Sequence, residues 1–207
     1  MRDPTTSEDL ATVRQTYVAR VQTFLGSAAG DMAIRLDAAR WLEKHAGLPD
    51  VHSIVELGGG FSTLVFARVL EARPDVTLTT ADHSSQWMAF VLGQVSADAR
   101  ARITAMSIRD IERALPTMPP SDLIFVDHGP TYKERLASIP LLVAYARRGG
   151  SALVFDDWFE EKHPKERRYS AQLRRTLTSL KARGELIPGT MAPGGRSLGR
   201  FVESHGR

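Results

Sequence analysis

Ser53-Ile-Val-Glu-Leu-Gly-Gly-Gly-Phe-Ser62 decides the fold of this 207-residue chain. Residues 53–57 read as a short apolar strand interrupted by one carboxylate, Glu56. Gly58, Gly59 and Gly60 follow. Then comes an apolar-periodic run through Leu64, Val65, Val69 and Leu70. The order is strand, glycine turn, helix. Glycine suits such a turn because it accepts positive φ and lets a ligand approach the backbone. In an open α/β sheet the turn lies at the carboxyl ends of the strands, where ligands bind. A bland turn would also tolerate the three glycines. Glu56 argues against that reading, because a carboxylate in a buried strand is costly without a partner.

The same alternation continues downstream. Periodicity predicts helix 62–72, strand 76–81, helix 84–95 and strand 102–106. A short helix over 108–115 precedes strand 122–127. Helix 131–147 follows, with a kink expected at Pro140. Strand 151–156 and helix 165–183 come next. The stretches 185–190 and 198–204 read as a closing strand pair. Strands alternating with helices imply an α/β fold with a mostly parallel sheet. Upstream, helices are expected over 7–25, with Ser7 as N-cap, and over 31–45. Leu10, Val13, Tyr17, Val21, Phe24 and Leu25 form the apolar face of the first. The chain thus divides into a helical extension, 1–50, and an α/β part, 51–207, within a single domain.

Composition narrows the class. A net charge of +3 is small, and 22 of the 27 basic residues are arginine, scattered along the chain. That distribution argues against a nucleic-acid surface. There is no cysteine, hence no disulfide and no thiolate metal site. No signal-like or membrane-spanning run is visible, so a cytoplasmic location is expected. The first two helices are the candidate face for a homodimer.

Several carboxylates fall at strand ends: Asp82, Asp127 and the pair Asp156-Asp157. Each singly reads as a helix cap. With Glu56 they converge on the ligand edge of the sheet.

In the order Glu-x-Gly-x-Gly-x-Ser, residues 56–62 resemble motif I of the class I S-adenosylmethionine-dependent methyltransferases. The resemblance implies their Rossmann-like sheet: mostly parallel, seven strands, the last antiparallel. It implies that Gly58, Gly59 and Gly60 pass under the methionine part of the cofactor, with Glu56 and Ser62 in the same cofactor-binding set. It gives Asp82 the ribose hydroxyls, with His83 beside it, and places Ser107 and Ile108 near adenine. Asp127 joins the cofactor-binding set. Dinucleotide binding through Gly-x-Gly-x-x-Gly is the competing reading, but Thr63 stands at the third glycine and Glu56 is foreign to that fingerprint. Two further alternatives keep the fold: intramolecular alkyl transfer from the same cofactor, and a non-catalytic scaffold.

Asp127-His128-Gly-Pro-Thr-Tyr-Lys133 and Phe155-Asp-Asp-Trp158 resemble the catechol-type O-methyltransferases. That resemblance implies Mg²⁺ on Asp127, Asp156 and Asp157, holding a small-molecule acceptor oxygen. His128 and Lys133 are then the candidate bases, with Asp127 as orienting group. His128 is favoured by chemistry, since an unperturbed imidazole titrates near neutrality. Trp158, His163 and Tyr169 fall where an acceptor pocket would form. The expected activity is methyl transfer to oxygen on a small molecule.

Overall fold

The alternation of buried residues along the strands builds the sheet. A computed structural model describes residues 9–26, 33–128, 132–155, 167–183, 186–188 and 197–201. Strands β1 (Ser53–Leu57), β2 (Thr77–Asp82), β3 (Ile103–Ser107), β4 (Leu123–Val126) and β5 (Ala152–Phe155) are mutually parallel. Two short strands complete it: β6 (Leu186–Pro188) and β7 (Ser197–Phe201). The order is β3-β2-β1-β4-β5-β7-β6, and β7 runs antiparallel to both its neighbours. From β1 the chain steps outward through β2 and β3, then returns to place β4 on the other side of β1. The switch point therefore lies between β1 and β4, where open α/β sheets bind ligands.

Each face of the sheet has its own apolar core. Ile54, Leu78, Leu123, Phe125 and Val154 point to one face. There they meet α1 (Leu10–Leu25), α2 (Leu36–Ala46) and α3 (Phe61–Ala72). Val55, Leu57, Ile124, Val126, Leu153 and Phe155 point to the other face. That face is covered by α6 (Ile108–Ala114) and α7 (Tyr132–Gly149), with Leu180 of α8 (Arg167–Ala182). Strand periodicity puts Glu56 on the same face as Ile54, towards α1 and α3. Asp122 fastens the entry to β1: its Oδ2 accepts from the amides of His52 (2.8 Å) and Ser53 (2.9 Å) and from the Ser53 hydroxyl (2.9 Å).

The structure shifts several expected boundaries. The helix expected over 84–95 ends early, as α4 (Ser85–Leu92), and a short helix the sequence reading did not include, α5 (Ala97–Arg100), follows it. Gly93 ends the first, and the Ser96 hydroxyl caps the second by accepting from the Ala99 amide. The second helix begins at Leu36 rather than at residue 31, because Arg35 is extended (φ −60°, ψ 149°). Arg14 holds that approach, donating to the carbonyls of Ile34 (2.9 Å) and Ala33 (3.3 Å). On α1, Leu10, Tyr17 and Val21 are buried as expected, but Phe24 and Leu25 are exposed. Helix α7 continues through Pro140. Ser7 lies outside the described residues, and Asp9 occupies the N-cap of α1.

At the switch point the end of β1 comes hard against the end of β4. Gly58 has φ +101°, and a Cβ built there would lie 2.5 Å from the Asp127 carbonyl carbon and oxygen. The Gly58 amide donates to the Ala81 carbonyl (2.7 Å), and the Asp127 amide to the Leu57 carbonyl (2.7 Å). Gly58→Ala is expected to lower stability by more than about 1 kcal/mol, through strain and overlap together. Gly26 also has positive φ (90°), but its added Cβ meets nothing within 4 Å. Gly26→Ala should therefore lower the thermal midpoint less than Gly58→Ala does, and equal losses would contradict the crowding.

Candidate functional site

The glycine turn is held from three sides. The Gly60 amide donates to Thr63 Oγ1 at 3.0 Å. Trp87 Nε1 donates to the Gly59 carbonyl at 2.6 Å. Gly58 is pinned between β2 and β4, as described. The Thr63 hydroxyl in turn donates to Glu56 Oε2 (2.7 Å), and the Thr80 hydroxyl donates to the same oxygen (2.6 Å). Glu56 thus has the partners that its buried position demands. They come from β2 and α3, so the carboxylate ties strand, strand and helix together.

Burial still dominates its titration. Glu56 is fully buried, and burial pushes its pKa up to about 7 against the pull of the Ser62, Thr80 and Thr63 hydroxyls. Its Oε1 has no hydrogen-bond partner of good geometry among the described residues. Thr63 occupies the place of the third glycine in the dinucleotide fingerprint, and its side chain is committed to Glu56 and Gly60. That use weighs against the nicotinamide reading.

Beyond the turn lies a cavity of about 520 Å³, within the usual range for small-molecule sites. Gly58, Gly59, Gly60 and Ser62 line it, as do Asp82, His83 and Asp127. The structure therefore brings together most of the residues expected to hold the cofactor. Glu56 sits just beneath, inside the sheet. Asp82 ends β2 half-buried, and its Oδ1 accepts from the Ser84 amide (2.8 Å). Burial raises its pKa, opposed by backbone amides of Ser84 and Gly59. Leu25, Ile34, Trp87 and Arg135 also form walls.

Ser107 and Ile108 do not reach the cavity. The Ser107 hydroxyl caps α6, accepting from the Asp110 amide (3.1 Å) and donating to Asp110 Oδ2 (2.6 Å). Ile108 is buried in the core on the far face. Their adenine assignment thus finds no support in the cavity lining.

His128 is also placed differently from a free base. Its ring is 2% exposed and is not part of the cavity wall. The Ser138 hydroxyl donates to Glu112 Oε1 (2.7 Å), so it accepts from His128 Nε2–H at 3.0 Å. Burial first, then the positive charge of Arg135, pushes the imidazole pKa down to about 3. Such a ring is neutral and a weak base near pH 7. Lys133 is exposed on the first turn of α7, away from the cavity lining. Neither residue is set where a base would act.

Arg135 explains Asp127. Its Nη2 donates to Asp127 Oδ1 at 2.7 Å, and its Nε to the His128 carbonyl at 2.8 Å. The guanidinium thus already neutralises the one described member of the expected magnesium set. Asp156 and Asp157 lie outside the described residues, as do Trp158, His163 and the Tyr169 side chain. Among the described residues no group of three or more His, Cys, Asp or Glu could hold a metal ion. Of the three expected ligands, the described residues supply only Asp127, and its carboxylate is engaged by Arg135.

Two predictions follow from these charges. Glu56 has a folded pKa raised above its ordinary 4.5 to about 7. Its contribution to stability is therefore complete below about pH 4.5 and is lost as pH rises through about 7. Glu56→Gln removes that dependence while keeping an oxygen for the two threonines. Ligand-free variant and wild type should melt alike near pH 5, with the variant higher at pH 8; a pH-independent difference would contradict the assignment. Arg135→Met takes the guanidinium away from Asp127 in a partly buried site and should cost about 1–3 kcal/mol in chemical denaturation. Arg135→Lys should recover only part of the loss, because an ammonium lacks the planar fork that reaches two acceptors; full recovery would reduce the contact to simple charge.

The sequence profile of a family described as methyltransferase domain matches residues 55–158, half of the chain. That stretch runs from β1 past β5 and contains the turn, Asp82 and Asp127. No curated protein matches in sequence. Among solved structures, the O-methyltransferase TomG from Streptomyces achromogenes, in complex with SAM, is 22% identical with a TM-score of 0.68; 96% of this chain and 92% of that one are covered. The O-methyltransferase from Bacillus cereus, in complex with SAH, is 16% identical (TM-score 0.69; 97% and 94% covered). A putative caffeoyl-CoA O-methyltransferase from Staphylococcus aureus is 11% identical (TM-score 0.67; 93% and 97% covered). At such identities the likeness is one of fold: the Rossmann-like α/β sheet of class I methyltransferases. With half its length matched by the family's own profile, the chain belongs to the methyltransferase domain family.

Proposed function

We propose that this protein transfers the methyl group of S-adenosylmethionine to an oxygen of a small molecule. The observation that carries the reading is the convergence of Gly58–Gly60 and Asp82 on one ligand-sized cavity at the switch point. Family membership supports it, and so does the fold shared with proteins named as O-methyltransferases.

The residues fit the cofactor. The glycine turn leaves its backbone open to the methionine part, and the Asp82 carboxylate suits the ribose hydroxyls. Ser62 lines the cavity from the start of α3, and Glu56 supports the turn from inside the sheet. When bound, the cofactor supplies a methyl group on a positively charged sulfonium. The protein's task is then to align an acceptor oxygen and to take its proton. Of the two histidines near the site, His83 lines the cavity, whereas His128 is buried behind it. We assign the proton-accepting role to His83 and a packing role to His128.

We also propose a single working domain in which residues 1–50 help to close the site over the α/β part, 51–207. A cytoplasmic location and a homodimer through α1 and α2 belong to the same reading. No described helix is long and apolar enough to cross a membrane. Phe24 and Leu48 are exposed on this N-terminal part.

The test is turnover. Incubation with S-adenosylmethionine and a panel of phenols, catechols and hydroxy acids should release S-adenosylhomocysteine together with a methyl ether or ester. His83→Ala should lower kcat by about a hundredfold, the usual scale of a general base. His128→Ala should instead lower the thermal midpoint. Breakdown of the cofactor to other products without any acceptor would favour intramolecular alkyl transfer.

A further inference from the structure

Leu25, Ile34 and Trp87 form an apolar wall of the cavity. Leu25 ends α1 and Ile34 precedes α2, so both lie outside residues 55–158 that match the family. Trp87 stands on the first turn of α4. Packing fixes all three. Phe24 stacks on Phe90 with centroids 4.4 Å apart and meets Trp87 at 6.2 Å, and Trp87 packs on Phe90 at 5.4 Å. These rings clamp the end of α1 to α4, and with it Leu25. Ile34 is set through its backbone, where Arg14 of α1 donates to its carbonyl at 2.9 Å.

The wall offers a ligand no polar partner. Leucine and isoleucine have no polar side-chain atom, and the N–H of the Trp87 ring is spent on the Gly59 carbonyl. A hydroxyl laid against these side chains loses water and gains nothing in return. A hydrocarbon surface laid there gains by leaving water. The position of the wall decides which molecule it meets. α1 and α2 pack on the same face of the sheet as α3, the helix that opens from the glycine turn. Helix α6, which follows β3, covers the opposite face. The wall therefore stands on the side of the turn, where the methionine part of the cofactor and its methyl group are matched.

We propose that Leu25 and Ile34, with the Trp87 ring, determine acceptor specificity by receiving an apolar body: the acceptor is a phenol or similar hydroxyl compound built on hydrocarbon, rather than a sugar or a hydroxy acid. The proposal rests on the reading that the cavity takes S-adenosylmethionine. The acceptor's hydrocarbon part lies on the wall, and its hydroxyl is left for His83, which lines the same cavity. Leu25 is 47% exposed, so it can meet a ligand arriving from solvent, and its replacement leaves the buried core intact.

The test titrates the protein, saturated with S-adenosylhomocysteine, with 2-naphthol as an apolar phenol and with glucose as a compound rich in hydroxyls. Calorimetry should show wild type binding 2-naphthol and not glucose. Leu25→Asn should bind 2-naphthol about tenfold more weakly, the scale of one lost apolar contact surface, with its affinity for S-adenosylhomocysteine unchanged. Leu25→Met, which keeps an apolar surface, should bind 2-naphthol as wild type does. Equal binding of 2-naphthol by wild type and Leu25→Asn would overturn the proposal. So would saturated wild type that takes up no 2-naphthol, or that binds glucose as well. A matching loss of S-adenosylhomocysteine affinity in Leu25→Asn would give the wall to the cofactor and overturn it too. Wild type that takes up no S-adenosylhomocysteine would remove the cofactor reading beneath it, an outcome distinct from the others.

Discussion

The contact between Gly58 and the Asp127 backbone is the constraint on which the site depends. The sheet brings β1 and β4 side by side, and the chain must leave both at one edge. A glycine at positive φ lets the turn after β1 pass under the end of β4 with no side chain between them. That passage puts Asp127 on the cavity wall and turns Gly59 and Gly60 outward. Trp87 and Thr63 then fix what remains free of the turn. A rigid, open-backed turn at the switch point is what a cofactor with a bulky charged tail requires.

Glu56 gives the same region its electrostatic character. A carboxylate buried within a sheet holds β1, β2 and α3 together through two hydroxyls on one oxygen. Burial nevertheless raises its pKa, so near neutrality the folded protein carries an acid that would be more comfortable protonated. Such strain is common where stability is given up for binding. Arg135 acts in the opposite sense, neutralising Asp127 and tying its carbonyl neighbourhood to α7. The two acids that flank the turn are thus governed by different environments, one by hydroxyls and burial, the other by a guanidinium.

Much of this was legible in the chain itself. Apolar periodicity located the five parallel strands to within a residue, and the carboxylates that end β2 and follow β4 fall where strand ends predict. Local sequence could not show which distant side chains answer those acids. Thr80 was recoverable in principle: it pairs in register with Glu56 on the neighbouring strand, so both point to one face. Thr63 was visible only as a departure from the dinucleotide fingerprint. Arg135 left no motif, because the packing of α7 folds it back onto Asp127. His128 shows the converse. Its chemistry suggested a base, whereas its burial, set by α6 and α7, makes it a structural hydrogen-bond donor to Ser138. Ser107 likewise spends its hydroxyl on capping the helix it precedes.

The central claim is that the cavity beside Asp82 binds the S-adenosyl group. Calorimetric titration of S-adenosylhomocysteine into wild type and Asp82→Ala, each checked for folding by thermal melting, tests it most directly. The account predicts saturable one-to-one binding by wild type that the substitution abolishes. Well-folded wild type that takes up no ligand, or an Asp82→Ala variant that binds as tightly as wild type, would contradict it.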